Sequence, residues 1–119
     1  MKTILVVDDD EMNLKMASFV LSQKGYQVVS ATSGMECLQM LDDMSVDLLL
    51  LDVEMPVMNG IKTLECIREK EIYNTIPVMF LTADANEETV LAAARLGAAG
   101  YMKKPYMPQE LVERVEKLL

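Results

Sequence analysis

Four groups of residues in this chain carry chemistry: Asp8-Asp9-Asp10, Asp52, Thr82, and Lys103-Lys104-Pro105. Each stands directly behind a short apolar run. Singly they have ordinary explanations: an acidic run caps a helix or lines a solvated turn, a threonine caps, a Lys-Pro pair sits in a loop. Jointly they ask for more. Carboxylates brought together repel, and one keeps its proton unless a cation neutralises them. An all-oxygen set in a small anionic pocket suits Mg²⁺, which takes one or two carboxylates together with waters and phosphate oxygens. A hydroxyl and a long-armed ammonium facing the same point would complete a place for a phosphoryl group. The chemistry is that of a carboxylate nucleophile, Asp52, with a metal in front of it and a cation opposite.

The elements that must position these groups are legible as alternating apolar runs and amphipathic stretches. Lys2–Val7 reads as a short strand, followed by a helix over Glu11–Lys24 with Met12, Met16, Phe19 and Val20 at helical spacing, stopped by Gly25. Gln27–Ala31 is a second strand. Ser33 with Glu36 three residues on is a capping-box pattern opening a helix that carries Cys37, Leu38 and Leu41. Leu48–Leu51 reads as a strand buried on both faces, and Asp52 falls at its end because Pro56 and Gly60 open a turn. Gly60–Lys70 is a helix with Leu64 and Ile67 inward, and Pro77–Leu81 a fourth strand with its proline at the start. Asp84 with Glu87 would cap a helix through Leu96, ended by Gly97. Ala99–Met102 is a short fifth strand, and Pro108 opens a last helix with Leu111, Val112, Val115 and Leu118 on one face.

Five βα units in this order imply an α/β fold: a parallel sheet with helices on both sides and right-handed crossovers. The four chemical groups then lie at the carboxyl ends of strands, on one edge of the sheet. That edge is where open α/β sheets place ligands. If strands one and three are neighbours, ~4.8 Å apart, their terminal carboxylates must converge.

Composition narrows the function. At 119 residues the chain is one domain filling its length, with no linker, repeat or low-complexity segment. A net charge of −8 argues against this chain itself binding nucleic acid or an anionic membrane. The apolar run at the start is too short for a signal peptide, and no segment could span a bilayer. Cys37 and Cys66 read as buried, reduced thiols of a cytoplasmic protein. The chain has no histidine, which removes Ser-His and Cys-His catalysis, histidine-metal sites and any role as a phosphohistidine donor.

Val6-Val7-Asp8-Asp9-Asp10, Leu51-Asp52-Val53-Glu54-Met55-Pro56-Val57-Met58-Asn59-Gly60, Leu81-Thr82-Ala83 and Tyr101-Met102-Lys103-Lys104-Pro105-Tyr106 together resemble a response-regulator receiver domain, and the match runs end to end. The resemblance implies a three-layer, doubly wound (flavodoxin-like) five-stranded parallel sheet of order 2-1-3-4-5 with five helices. It implies that Asp52 accepts a phosphoryl group from a phosphohistidine on a histidine kinase or histidine phosphotransfer protein. Asp9 is then a direct Mg²⁺ ligand (Mn²⁺ serving as well), with Asp52 and the backbone carbonyl of Glu54 as further ligands and Asp8 acting through water. Asp10 begins the first helix. Lys104, the lysine that directly precedes proline, pairs with the phosphoryl group through a cis Lys104–Pro105 bond, and Lys103 faces outward. Thr82 and Tyr101 are the switch residues. Phosphorylation would reshape the face made by helix four, strand five and helix five to control a downstream protein or an output domain absent from these residues. Such a domain catalyses its own phosphorylation and slow autodephosphorylation without being an enzyme in the turnover sense, as a monomer or a phosphorylation-dependent dimer.

Several positions depart from the family's pattern. Glu54 and Asp84 are acids at positions that influence how long the phosphate survives, either by repelling it or by orienting water. Met107 stands where a hydroxyl cap is common, so the last helix should begin less tightly. Ala99-Gly100 replaces an acidic pair used in some dimers. The 11 methionines read mostly as core filler, with a minority, such as Met102 and Met107, as an adaptable partner surface. Two other readings remain open. One is a Mg²⁺-dependent phosphatase with an aspartyl-phosphate intermediate, which would usually carry a second Asp where Glu54 stands. The other is a pseudo-receiver that binds partners without phosphorylation.

Overall fold

Leu48–Leu51 offer no polar side chain to either face, so the strand they form must be covered on both sides. In the computed structural model, which describes residues 1–119, they make up most of β3 (Leu48–Asp52), every residue of which is buried. The elements run β1 (Thr3–Val7), α1 (Glu11–Gln23), β2 (Gln27–Ala31), α2 (Gly34–Asp43), β3, α3 (Gly60–Arg68), β4 (Val78–Thr82), α4 (Glu87–Arg95), β5 (Gly100–Lys103) and α5 (Pro108–Leu118), with a single 3₁₀ turn at Glu71–Tyr73. All strand pairings are parallel and the order is β2-β1-β3-β4-β5, as expected.

Alternation along each strand divides the core into two halves. Leu5, Val7, Leu49, Leu51, Val78 and Phe80 point to one face and meet Cys37, Leu41, Leu64, Ile67 and Ala93 from α2, α3 and α4. Ile4, Val6, Leu48, Leu50, Met79, Leu81 and Met102 point to the other and meet Leu14, Ala17, Leu21, Leu111, Val112 and Val115 from α1 and α5. No helix is long and apolar enough to cross a membrane.

Local signals explain most boundaries. Ser33 accepts the Glu36 N–H at 3.1 Å while Glu36 reaches back to the Thr32 N–H at 2.7 Å, closing the start of α2. Gly25 ends the α1 turn at φ +92°, a conformation that costs a residue with a Cβ. Asn59 caps α3 through the Lys62 N–H at 2.8 Å. As expected, Met107 precedes α5 as its N-cap residue without supplying a side-chain hydrogen bond.

Other expectations are corrected. Helix α1 buries Leu14, Ala17 and Leu21, whereas Met12 and Phe19 face solvent. The helix has apolar residues around most of its circumference, and the stripe containing the small Ala17 lies closest to the sheet. The cap of α4 is Asn86, whose Oδ1 accepts the Thr89 N–H at 2.8 Å; Asp84 lies earlier and accepts from the Asn86 amide at 3.1 Å. Met102 is buried against α5, so of the two methionines assigned to a partner surface only Met107 is exposed. Cys66 is half-buried rather than buried. Helix α3 stops at Arg68, whose guanidinium turns to donate to the carbonyls of Leu96 (2.9 Å), Tyr73 (3.2 Å) and Gly97 (3.4 Å).

Candidate functional site

Register decides which side chains meet. Val7 of β1 lies opposite Leu51 of β3, so Asp8 and Asp52 are neighbours at the carboxyl edge of the sheet. Asp8 extends the ladder one step beyond β1, its N–H donating to the Ala31 carbonyl at 3.1 Å, and its side chain is 1% exposed. Asp52, the last residue of β3, is also 1% exposed. Asp9 is exposed beside them, and Asp10 turns away to cap α1 through the Met12 N–H at 2.9 Å. Carboxylate oxygens of Asp8, Asp9 and Asp52 lie within 4.8 Å of one another.

Lys104 enters from the far side. Its N–H donates to the Thr82 carbonyl at 2.7 Å, which fixes the chain just past β5, and the Lys104–Pro105 peptide is cis. The ammonium is 3.0 Å from Asp8 Oδ2 and 3.0 Å from Asp52 Oδ1. Lys103 faces solvent. Burial opposes the charge on Lys104, but its close contacts with the Asp8 and Asp52 carboxylates hold the ammonium above its ordinary range. Asp52 behaves oppositely. Burial pushes its carboxyl up to about 7; the Lys104 hydrogen bond pulls it down, and the charge on Asp8 pushes it up again.

Three carboxylates against one ammonium leave the pocket with surplus negative charge. Asp8 Oδ1 accepts the Asp10 N–H at 3.0 Å, whereas Oδ2 is buried and accepts no hydrogen bond with proper geometry, touching Lys104 only as a charge. An all-oxygen donor set, a surplus of charge and an orphaned buried oxygen fit a hard divalent cation.

The loop after β3 is folded back tightly. The Gly60 N–H donates to the Val53 carbonyl at 2.9 Å, and a Cβ on Gly60 would collide with the backbone carbonyl of Asp52. Only glycine allows this approach. At the loop tip Val57 takes φ +70° with its side chain fully in solvent, a strained conformation for a β-branched residue.

Glu54 is the residue whose position the sequence did not reveal. Its N–H donates to Asp52 Oδ1 at 3.3 Å, and its carboxylate crosses to the end of β4. There Oε2 accepts the Thr82 hydroxyl at 2.6 Å and Oε1 accepts the Ala83 N–H at 2.7 Å. Thr82 also accepts the Asp84 N–H at 3.1 Å, while the Asp84 side chain points to Asn86 and not into the pocket. The pairing follows from Asp52 lying opposite Leu81, a register no local pattern announces. Tyr101 is 39% exposed on β5, with its carbonyl accepting from Arg114 at 2.7 Å. Tyr106 brings a buried hydroxyl without a partner, which burial and then the charge on Asp8 push up to about 12.

Comparison with known proteins agrees with this geometry. A family model described as the response regulator receiver domain matches residues 4–116. The transcriptional regulatory protein CpxR of Escherichia coli (strain K12) is 41% identical over 119 residues, covering 100% of this chain and 50% of that protein. The chain thus spans about half the length of the curated relatives it matches. Among solved structures, the chemotaxis response regulator CheY4 of Vibrio cholerae superposes with a TM-score of 0.95 at 31% identity, covering 100% of this chain and 99% of that one. The response regulator TrrA of Thermotoga maritima, in complex with Mg²⁺-BeF, gives 0.87 at 34% identity, with all of both chains covered.

Proposed function

This chain belongs to the response regulator receiver domain family, and from that premise we propose that residues 1–119 form one phosphorylation-activated switch with Asp52 as phosphoacceptor. The observation that carries the reading is the convergence on Asp52: one ammonium 3.0 Å from its Oδ1, Asp8 and Asp9 within 4.8 Å, and Thr82 on the adjacent strand.

An Asp52 oxygen attacks the phosphorus of a phosphohistidine on a histidine kinase or phosphotransfer protein. The P–O bond forms as the P–N bond breaks, and the imidazole leaves with the electron pair. Lys104, freed from pairing with the Asp52 carboxylate, meets the new phosphoryl oxygens, and Thr82 donates its hydroxyl to one of them. Asp9, Asp52 and the Glu54 carbonyl, with Asp8 through water, would hold Mg²⁺ or Mn²⁺. That ion, when bound, offsets the negative charge that the acceptor and the phosphoryl group share. The TrrA complex with Mg²⁺-BeF supports this assignment.

The modification adds nearly two negative charges and three acceptor oxygens beside Thr82. Thr82 moves toward them, the loop after β4 follows, and Tyr101 turns inward from its exposed position. The face of α4, β5 and α5 then presents a different surface to a downstream protein or to a further segment of a longer chain. The names of the relatives, which are transcriptional regulatory proteins about twice this length, favour the second target.

The test is intact-mass spectrometry after incubation with acetyl phosphate and Mg²⁺. The wild type should gain one phosphoryl mass and the Asp52→Asn variant none. Absence of any gain in the wild type, with Mg²⁺ binding confirmed by calorimetry, would overturn the reading. No Mg²⁺ binding at all would instead favour a pseudo-receiver.

A further inference from the structure

The two donors at the end of β4, the Thr82 hydroxyl and the Ala83 N–H, are both engaged by one carboxylate, that of Glu54, at 2.6 and 2.7 Å. Both bonds are charge-assisted and each uses a different oxygen, so the side chain is held at two points. A phosphoryl group on Asp52 would present paired anionic oxygens to the same donors. We propose that Glu54 is an internal occupant of the phosphoryl site, holding Thr82 and Ala83 in the unmodified state and leaving when the phosphoryl group arrives. This inference rests on the reading of Asp52 as phosphoacceptor.

The argument is one of shared donors. Thr82 has a single hydroxyl proton with two acceptors in reach, the Glu54 carboxylate at 2.6 Å and the Asp84 carbonyl at 3.0 Å. The carboxylate is closer and charged, and takes the proton. The Ala83 N–H has no other partner. A phosphoryl group cannot bond these donors while Glu54 holds them, and like charges at that distance repel. The Glu54 side chain lies at the exposed mouth of the pocket and can swing into water without uncovering any core. Its backbone can stay fixed, because its N–H remains with Asp52. The modified state therefore carries a freed glutamate at the surface, and the same glutamate competes to recover Thr82 and Ala83.

This role differs in sign from two plainer ones. If Glu54 only supports the loop after β4, its removal loosens the site and weakens binding of a phosphoryl mimic. If Glu54 only repels phosphate by charge, a shorter acid acts like the wild type. An occupant must reach the donors, so Glu54→Asp should behave largely like Glu54→Ala.

The experiment uses the whole chain with Mg²⁺ and beryllofluoride, followed by the Ala83 amide resonance. The apo spectra come first: the Ala83 amide should move upfield in Glu54→Ala and Glu54→Asp as its carboxylate partner is lost. Both variants should then bind beryllofluoride about three- to tenfold more tightly than the wild type, as loss of one or two competing hydrogen bonds requires. They should also gain phosphoryl mass from acetyl phosphate faster. Weaker binding in Glu54→Ala, or wild-type affinity in Glu54→Asp, overturns the occupant role while leaving Asp52 as acceptor. Failure of every form to bind beryllofluoride or gain phosphoryl mass overturns the acceptor reading, and the occupant role with it.

Discussion

Replacing Asp52 by Asn should make the metal-free protein more stable, by an amount that depends on pH. Asp52 is 1% exposed, stands beside Asp8 and is answered by the shared ammonium of Lys104 and a long 3.3 Å bond from the Glu54 N–H. Its carboxyl is pushed up to about 7, chiefly by burial. In the unfolded chain an aspartate titrates near 3.9. Between those values the folded state holds a proton that the unfolded state has released, so stability falls as pH rises through that window and levels off above about 7. Three pH units correspond to about 4 kcal/mol at most, and solvent reaching the pocket past Asp9 roughly halves this, to about 2 kcal/mol at pH 8. Asn keeps the shape and has nothing to ionise. For a domain of this size about 2 kcal/mol corresponds to roughly 6–10 °C in Tm. Thermal melts in chelator should therefore place Asp52→Asn above the wild type at pH 8, with the gap shrinking steadily toward pH 4.5. Mg²⁺ should narrow the gap at pH 8 by stabilising the wild type. A variant less stable than the wild type at pH 8, or a gap independent of pH, would refute the account of a carboxylate ionised against its surroundings.

Two further outcomes test the loop between Asp52 and α3. Val57→Gly relieves a left-handed β-branched residue in full solvent and should gain about 1 kcal/mol, a Tm rise of roughly 3–4 °C without effect on phosphorylation; no gain would mean that the φ of +70° carries no strain. Gly60→Ala drives a methyl into the Asp52 carbonyl and should cost about 2–4 kcal/mol by urea denaturation, and it should slow phosphoryl gain. Wild-type values on both counts would show that the loop shifts freely.

The sheet was readable because its central strands are buried on both faces and appear as unbroken apolar runs, Leu48–Leu51 above all. The Ser33–Glu36 box was readable because both partners lie within one turn. Where two local solutions compete, sequence is less decisive. Asp84 and Asn86 both make acceptable caps, and only the path of the loop from Thr82 selects Asn86. On α1 apolar side chains surround the helix, so periodicity could not choose between the Met12–Phe19 stripe and the Leu14–Leu21 stripe. In the pocket, position at strand ends was enough to bring Asp8, Asp9, Asp52 and Lys104 together. The reach of Glu54 to Thr82 and Ala83 was not readable, because it depends on the register of β3 with β4. Tyr106 gave no signal either, since an aromatic beside Pro105 reads as packing until its hydroxyl is found buried and unpaired.

Helix α4 contributes one buried side chain, Ala93, whereas α2 contributes two and α1, α3 and α5 three each. Its exit is held by Arg68, which bonds the Leu96 and Gly97 carbonyls, and its start hangs from the loop that begins at Thr82 and Ala83. Mechanically this is a lever, with its fulcrum at Gly97 and its free arm at Asn86. Nine residues make an arm of about 13 Å, so a shift of about 1 Å at Asn86 turns the helix by roughly 4°. Such a turn drags little apolar surface into water, and it reaches the outer side chains of α4 with its amplitude falling toward the Arg68 end.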